Sequence, residues 1–291
     1  MIEDMKLNAV LSSNREADLR GKPAWGIMFR YLNWCKRLGP SQPAQVMQAR
    51  EIYYDNGYAK YRKVIDLIAA RMERASSLGP FLSKRVLEKP YVVNSSSENA
   101  DKDRLLNSEG IYHFHLGTSL RSEKLYGYTG DLLFVTYYNG KAYFLGIGNH
   151  NDFDSQEWAQ RAISNWPNSG MFSEIKNMTF PSYSESERAL LRKSGAATFV
   201  SLGGKSYFPA TGSISTAGIS AIDVKKIKTL ITQIKYVVME LCNKREMTAN
   251  YVTRIGQQTT SDVVLTWRID KGHLEVVDKT SGVRLQEWFL R

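Results

Sequence analysis

Asn139-Gly140 stands between two runs of alternating apolar residues, Asp131–Tyr138 and Lys141–Gly148. Both residues accept the positive φ of a type I′ turn, and such a pair between alternating runs is the strongest short-range hairpin signal. The hairpin fixes an antiparallel pair in mid-chain, and the other elements must be arranged around it. Upstream, Ile111–Leu116 alternates in the same way and predicts a further strand.

Before this block the pattern is helical. Trp25–Leu38 carries apolar residues at helical spacing and stops at Gly39-Pro40. A second helix is expected over Pro43–Tyr54 and a third over Tyr58–Ser76, the latter with Tyr61, Val64, Ile65, Ile68 and Met72 on one face. A short helical stretch is expected over Phe81–Leu87, and residues 93–107 are polar and read as a linker. After the hairpin a helix is expected over Ser155–Trp166, with Asp154 and Glu157 at capping-box spacing. Ser184 and Glu187 repeat that spacing before a short helix ending at Gly195. Residues 196–210 suggest a hairpin about Gly203-Gly204, and Ser220–Asn243 is the clearest long helix. Val263–Arg268, His273–Val277 and Val283–Leu290 suggest a small antiparallel sheet.

The expected class is α+β: a helical N-terminal region, a central antiparallel sheet with hairpins and flanking helices, and a long C-terminal helix followed by a small sheet. The expected boundaries are a polar tail over 1–22, a helical region over 23–92 and an α+β domain over 108–291.

At 43% hydrophobic and 23% charged, 291 residues can bury a sizeable core. Cys35 and Cys242 form no CxxC motif, which fits a reducing cytoplasm. The first residues carry acids where a secretory signal carries bases, and no apolar run reaches the roughly 18 residues of a membrane span. A cytoplasmic protein with no membrane partner is expected.

The net charge of +10 is uneven: residues 91–190 hold 8 Lys/Arg against 12 Asp/Glu, and the excess of bases lies on either side. Basic flanks fit RNA or another nucleic acid. They fit solvated helix faces equally well.

Three of the four histidines fall in the acidic middle: His113, His115 and His150. Imidazole exchanges protons near neutral pH and is the commonest metal ligand. On a strand, His113 and His115 share a face with Ile111, leaving Tyr112, Phe114 and Leu116 to a buried face. A loop with Arg121, Lys124, Tyr126 and Tyr128 follows, able to stack on bases and contact phosphate.

These parts suit metal-independent RNA cleavage without a cofactor. His113 or His115 would be the base and His150 the acid, Arg121 or Lys124 would stabilise the phosphorane, and Asp152 would orient an imidazole. Two other readings stay open. In one the histidines are structural, in a non-enzymatic nucleic-acid- or protein-binding module; in the other they hold zinc or iron in a metal-dependent enzyme. The aromatic and basic run Tyr53-Tyr54, Tyr58, Lys60-Tyr61-Arg62-Lys63 could bind nucleic acid, though helix packing accounts for tyrosines equally well.

The stretch from His113 to Asp152 resembles the core of the barnase–EndoU–colicin–RelE group of toxin nucleases, RelE-type toxins in particular. The resemblance lies in a strand bearing polar catalytic-type residues, a basic loop, Leu132-Leu133-Phe134-Val135, a hairpin, and a last strand running into Gly148-Asn149-His150-Asn151. It implies a small antiparallel sheet, RNA cleavage without metal, a toxin or phage-defence role with an antitoxin or inhibitor partner, and His113, His115, Arg121 and His150 as site residues. The chain is also similar to uncharacterised phage and mobile-element proteins with a His-x-His-Leu-Gly stretch, here His113–Gly117.

Overall fold

The hairpin is the centre of the structure, a computed structural model that describes residues 32–83, 86, 103–117, 120–122, 125–126, 129–211, 213–215, 218–229, 231–232, 265–270, 273–278 and 284–289. Strand β5 (Asp131–Tyr138) turns back into β6 (Lys141–Asn149) through Asn139 and Gly140, at φ 48° and 72°. Chain order begins with β1 (Gln45–Gln48) and α1 (Tyr58–Glu73), then α2 (Arg104–Glu109) and β2 (Ile111–His115). A two-stranded ribbon, β3 (Leu120–Ser122) and β4 (Leu125–Tyr126), precedes the hairpin. After it come α3 (Glu157–Asn165), β7 (Phe172–Glu174), α4 (Glu185–Ser194), β8 (Val200–Leu202) and β9 (Lys205–Pro209).

The central sheet has the order β1-β6-β5-β2. The hairpin and β2 are antiparallel, but β1 runs parallel to β6, with Gln45 opposite Lys141 and Gln48 opposite Phe144. This corrects the expected helix over Pro43–Tyr54: the segment is a strand followed by a 3-10 turn over Arg50–Tyr54. Its ladder comes from a partner about a hundred residues away, and local propensity does not report such pairing. The third expected helix forms as α1, with Tyr61, Val64, Ile65, Ile68 and Met72 buried. Residues 32–37 are helical, and the rest of Trp25–Leu38 lies outside the described residues, as do the tail over 1–22 and most of the linker.

Both faces of the sheet are covered. On one, Ile111, Leu132, Phe134 and Leu145 pack with Trp158, Ala159, Ala162 and Ile163 of α3. The other carries Phe114, Leu133, Val135 and Phe144, all essentially inaccessible. The histidine face of β2 is therefore not an open one: it continues the face that α3 covers.

A bulge at Leu145 shifts the register, so that Phe134 opposes Gly146 and Leu132 opposes Gly148. The glycines are needed because the Trp158 indole lies against the strand, stacked on Phe134 at 4.2 Å. A Cβ at Gly148 would come within 2.6 Å of both Trp158 and Asp152. Past the end of β1, the Ile147 N–H donates to Asp55 (2.8 Å), which also takes two hydrogen bonds from Arg161 at 2.8 Å each.

The second hairpin forms about Gly203-Gly204, and β7 joins it in a three-stranded antiparallel sheet of order β7-β9-β8. Helix α4 begins in the expected capping box of Ser184 and Glu187 and ends at Gly195 with φ 77°. Ser155–Trp166 starts differently from expectation. The capping box there is Asn149 with Asp152, around a 3-10 turn over His150–Asp154, and α3 follows without a side-chain cap.

The described residues fall into two compact units, one within 22–227 and one within 228–291. In the second, β10 (Leu265–Asp270), β11 (His273–Asp278) and β12 (Arg284–Phe289) form the expected antiparallel sheet. Residues 221–229 are helical, while 233–243 of the expected long helix lie outside the described residues. No described helix is long and apolar enough to cross a membrane.

Candidate functional site

Antiparallel pairing decides where the histidines meet. His115 opposes Leu132, and Asp131, one residue earlier, opposes Asn149, so β2 and β6 deliver their histidines to the same end of the sheet. The three imidazoles converge there: ring centroids are 6.2 Å apart for His113 and His115, 5.7 Å for His115 and His150, and 6.5 Å for His113 and His150. Phe153 is their shared apolar neighbour, 4.8 Å from His113 and 5.4 Å from His150.

The cluster is graded from core to solvent. His115 is 3% exposed, His113 is half-buried and His150 is exposed. Burial, and then the neighbouring His113 and His150, lower the His115 pKa to about 4, so this ring is neutral at pH 7. Burial and the nearby His113 also lower that of His150, against a backbone hydrogen bond at Gly130.

The carboxylate at an imidazole is Asp103, which sequence reasoning left in the linker. Its Oδ1 caps α2 by accepting from Leu106 N–H (2.9 Å), and its Oδ2 lies 3.2 Å from His113 Nδ1. Burial alone would raise the Asp103 pKa, but His113, the Leu106 N–H and Arg37 outweigh it and hold the carboxyl below its ordinary range. A signal was present: Asp103 before Arg104-Leu105-Leu106, closed by Gly110, has the form of a capped helix.

Asp152, expected to orient an imidazole, instead closes the turn that carries His150. Its Oδ2 accepts from Asn149 N–H (2.6 Å), and its carbonyl accepts from the Trp158 indole N–H (2.9 Å). Arg121 and Tyr126 lie on the paired strands β3 and β4, described by their backbone; Lys124 and Tyr128 lie outside the described residues.

A buried ionic cluster also escaped sequence reading. Glu109, at the end of α2, accepts from Arg188 and Arg192 of α4, all three side chains being fully enclosed. Arg192 also donates to the Phe153 carbonyl (2.6 Å) and to Asp154 Oδ1 (2.8 Å), and Arg188 to the Asp154 carbonyl (3.0 Å). The cluster thus clamps the turn that places His150 and Phe153. Among the described residues, no three His, Cys, Asp or Glu side chains are disposed to hold a metal ion together.

Comparison with protein-family models, curated proteins and solved structures finds no match.

Proposed function

We propose that this protein is a metal-independent endoribonuclease whose chemistry is carried by His113 and His150. The observation behind this reading is the meeting of three imidazoles from distant strands, with one ring exposed and one paired to a buried carboxylate. Rings 6.5 Å apart can both reach a single phosphoryl group between them.

The electrostatics favour exchanging the acid and base expected from sequence. His150, whose pKa is lowered, is the neutral base that takes the proton from a ribose 2′-hydroxyl. His113, its Nδ1 3.2 Å from Asp103, is the proposed acid that gives a proton to the departing 5′-oxygen. The 2′-oxygen bonds to phosphorus as the 5′-oxygen leaves, giving a 2′,3′-cyclic phosphate and a 5′-hydroxyl. Buried, neutral His115 positions the other two rings. Arg121 on β3 is the proposed partner of the phosphorane charge. A toxin or phage-defence role with an inhibitor partner belongs to the same proposal.

The test is cleavage of a labelled single-stranded RNA by the full chain and by His113→Ala and His150→Ala, with folding followed by circular dichroism. Each substitution is expected to lower the rate by about 10²–10⁴-fold without loss of structure. Folded variants that cleave at the wild-type rate would refute the assignment.

A further inference from the structure

The run from Tyr53 to Lys63 is not explained by helix packing alone. Tyr61 is buried, its hydroxyl donating to Asp131 (2.6 Å), whereas Tyr53 is 54% and Tyr54 88% exposed. Burying an aromatic ring is strongly favourable, so adjacent tyrosines left in water need a reason. Tyr53 meets Tyr58 edge to face at 5.1 Å, which makes a small aromatic ledge at the start of α1.

Four cations lie close to the ledge in sequence. Arg50, Lys60, Arg62 and Lys63 are all exposed. Of the nearby acids, Glu51 is engaged by Asn165 and Asp55 by Arg161. Arg62 faces Asp66 at 4.0 Å and Lys60 faces Asp131 at 3.9 Å. Among the described residues, Arg50 and Lys63 make no ion pair. A short segment that exposes both aromatic rings and unneutralised cations suits a ligand with flat π-faces on an anionic backbone.

The segment bearing the ledge is tied to the hairpin that delivers His150. Asp131, which Tyr61 and Lys60 approach, pairs with Asn149, the residue before His150. Asp55, two residues before the last glycine preceding α1, binds the Ile147 N–H, three residues before His150.

We propose that the turn Arg50–Tyr54 and the first turns of α1 form a stacking platform that binds single-stranded RNA and leads it to the histidines, an inference that rests on the ribonuclease reading above. Bases stack on Tyr53 and Tyr54, while Arg50 and Lys63 contact phosphates. A duplex, whose bases are already stacked, gains nothing from the tyrosines.

The full chain is titrated with a fluorescein-labelled single-stranded dodecamer of 2′-fluoro-uridine, followed by anisotropy. This probe lacks the 2′-hydroxyl nucleophile, so binding is measured without cleavage. Tyr53→Ala and Tyr54→Ala are each expected to weaken binding by about 5- to 100-fold, Tyr54→Trp to preserve it, and an RNA duplex of equal length to compete poorly. Wild-type binding by the Tyr53→Ala/Tyr54→Ala double variant, or equal competition by the duplex, would overturn the platform. Cleavage of the corresponding oligoribonucleotide is scored separately. Tyrosine-dependent binding without cleavage upholds the platform and defeats the ribonuclease reading; cleavage with tyrosine-independent binding defeats the platform alone.

Discussion

Removing the carboxylate of Glu109 should cost far more than one surface ion pair. Glu109→Ala leaves two guanidinium groups, Arg188 and Arg192, enclosed with no compensating charge at the centre of the cluster. Breaking a buried pair by deleting one partner costs about 3–5 kcal/mol. Arg192 keeps Asp154, and Arg188 keeps the Asp154 and Phe199 carbonyls, so the lower half of that range applies. A total stability of about 5–15 kcal/mol would lose a fifth or more. With a urea slope of about 2 kcal/mol per molar, the midpoint should fall by about 1.5–2 M, followed by the fluorescence of buried Trp158. Glu109→Gln keeps an acceptor without the charge and should fall between. A Glu109→Ala midpoint within about 0.3 M of wild type, a shift worth under 1 kcal/mol, would show that the cluster does not hold the turn of His150 as argued.

Two other perturbations follow from the same geometry. The folded pKa of His115 is depressed from 6.5 to about 4, so the folded state disfavours the proton. Its contribution is full above about pH 6.5 and is lost as the pH falls toward 4, about 3 kcal/mol in all. Urea midpoints measured across that window should decline in wild type and decline less in His115→Phe; parallel curves would refute the burial argument. Gly148→Ala drives a methyl into Trp158 and Asp152 and should destabilise by about 1–3 kcal/mol, with loss of cleavage as the Asn149–Asp152 cap is displaced. An unchanged melting temperature would contradict the close approach.

What could be read from the sequence was local. Asn139-Gly140 and the Ser184/Glu187 box worked because turn and cap chemistry lies within four residues. Once the hairpin and β2 were placed, the meeting of the histidines followed from strand polarity. What escaped depended on distant partners. Strand β1 exists through β6, and its four residues, Gln45-Val46-Met47-Gln48, carry no apolar alternation to mark it. Helix α4 inverts the usual amphipathic rule: Leu190 is 66% exposed while Arg188 and Arg192 are enclosed, because Glu109 waits beneath them. A hydrophobic pattern cannot show that. Asp103 sits among polar residues that resemble a linker, and the 3-10 turn before α3 leaves little periodicity to distinguish the true Asn149–Asp152 box from the Asp154–Glu157 spacing.

The central claim, proton transfer between His113 and His150 across a phosphodiester, is tested most directly by the ends that cleavage leaves. A DNA oligonucleotide carrying one ribonucleotide, incubated with the full chain in excess chelator, should be cut only after the ribose. The account predicts a 2′,3′-cyclic phosphate and a 5′-hydroxyl, with no cut when that 2′-hydroxyl is replaced by hydrogen. Absence of cutting, a 5′-phosphate product, or loss of activity on chelation would contradict it.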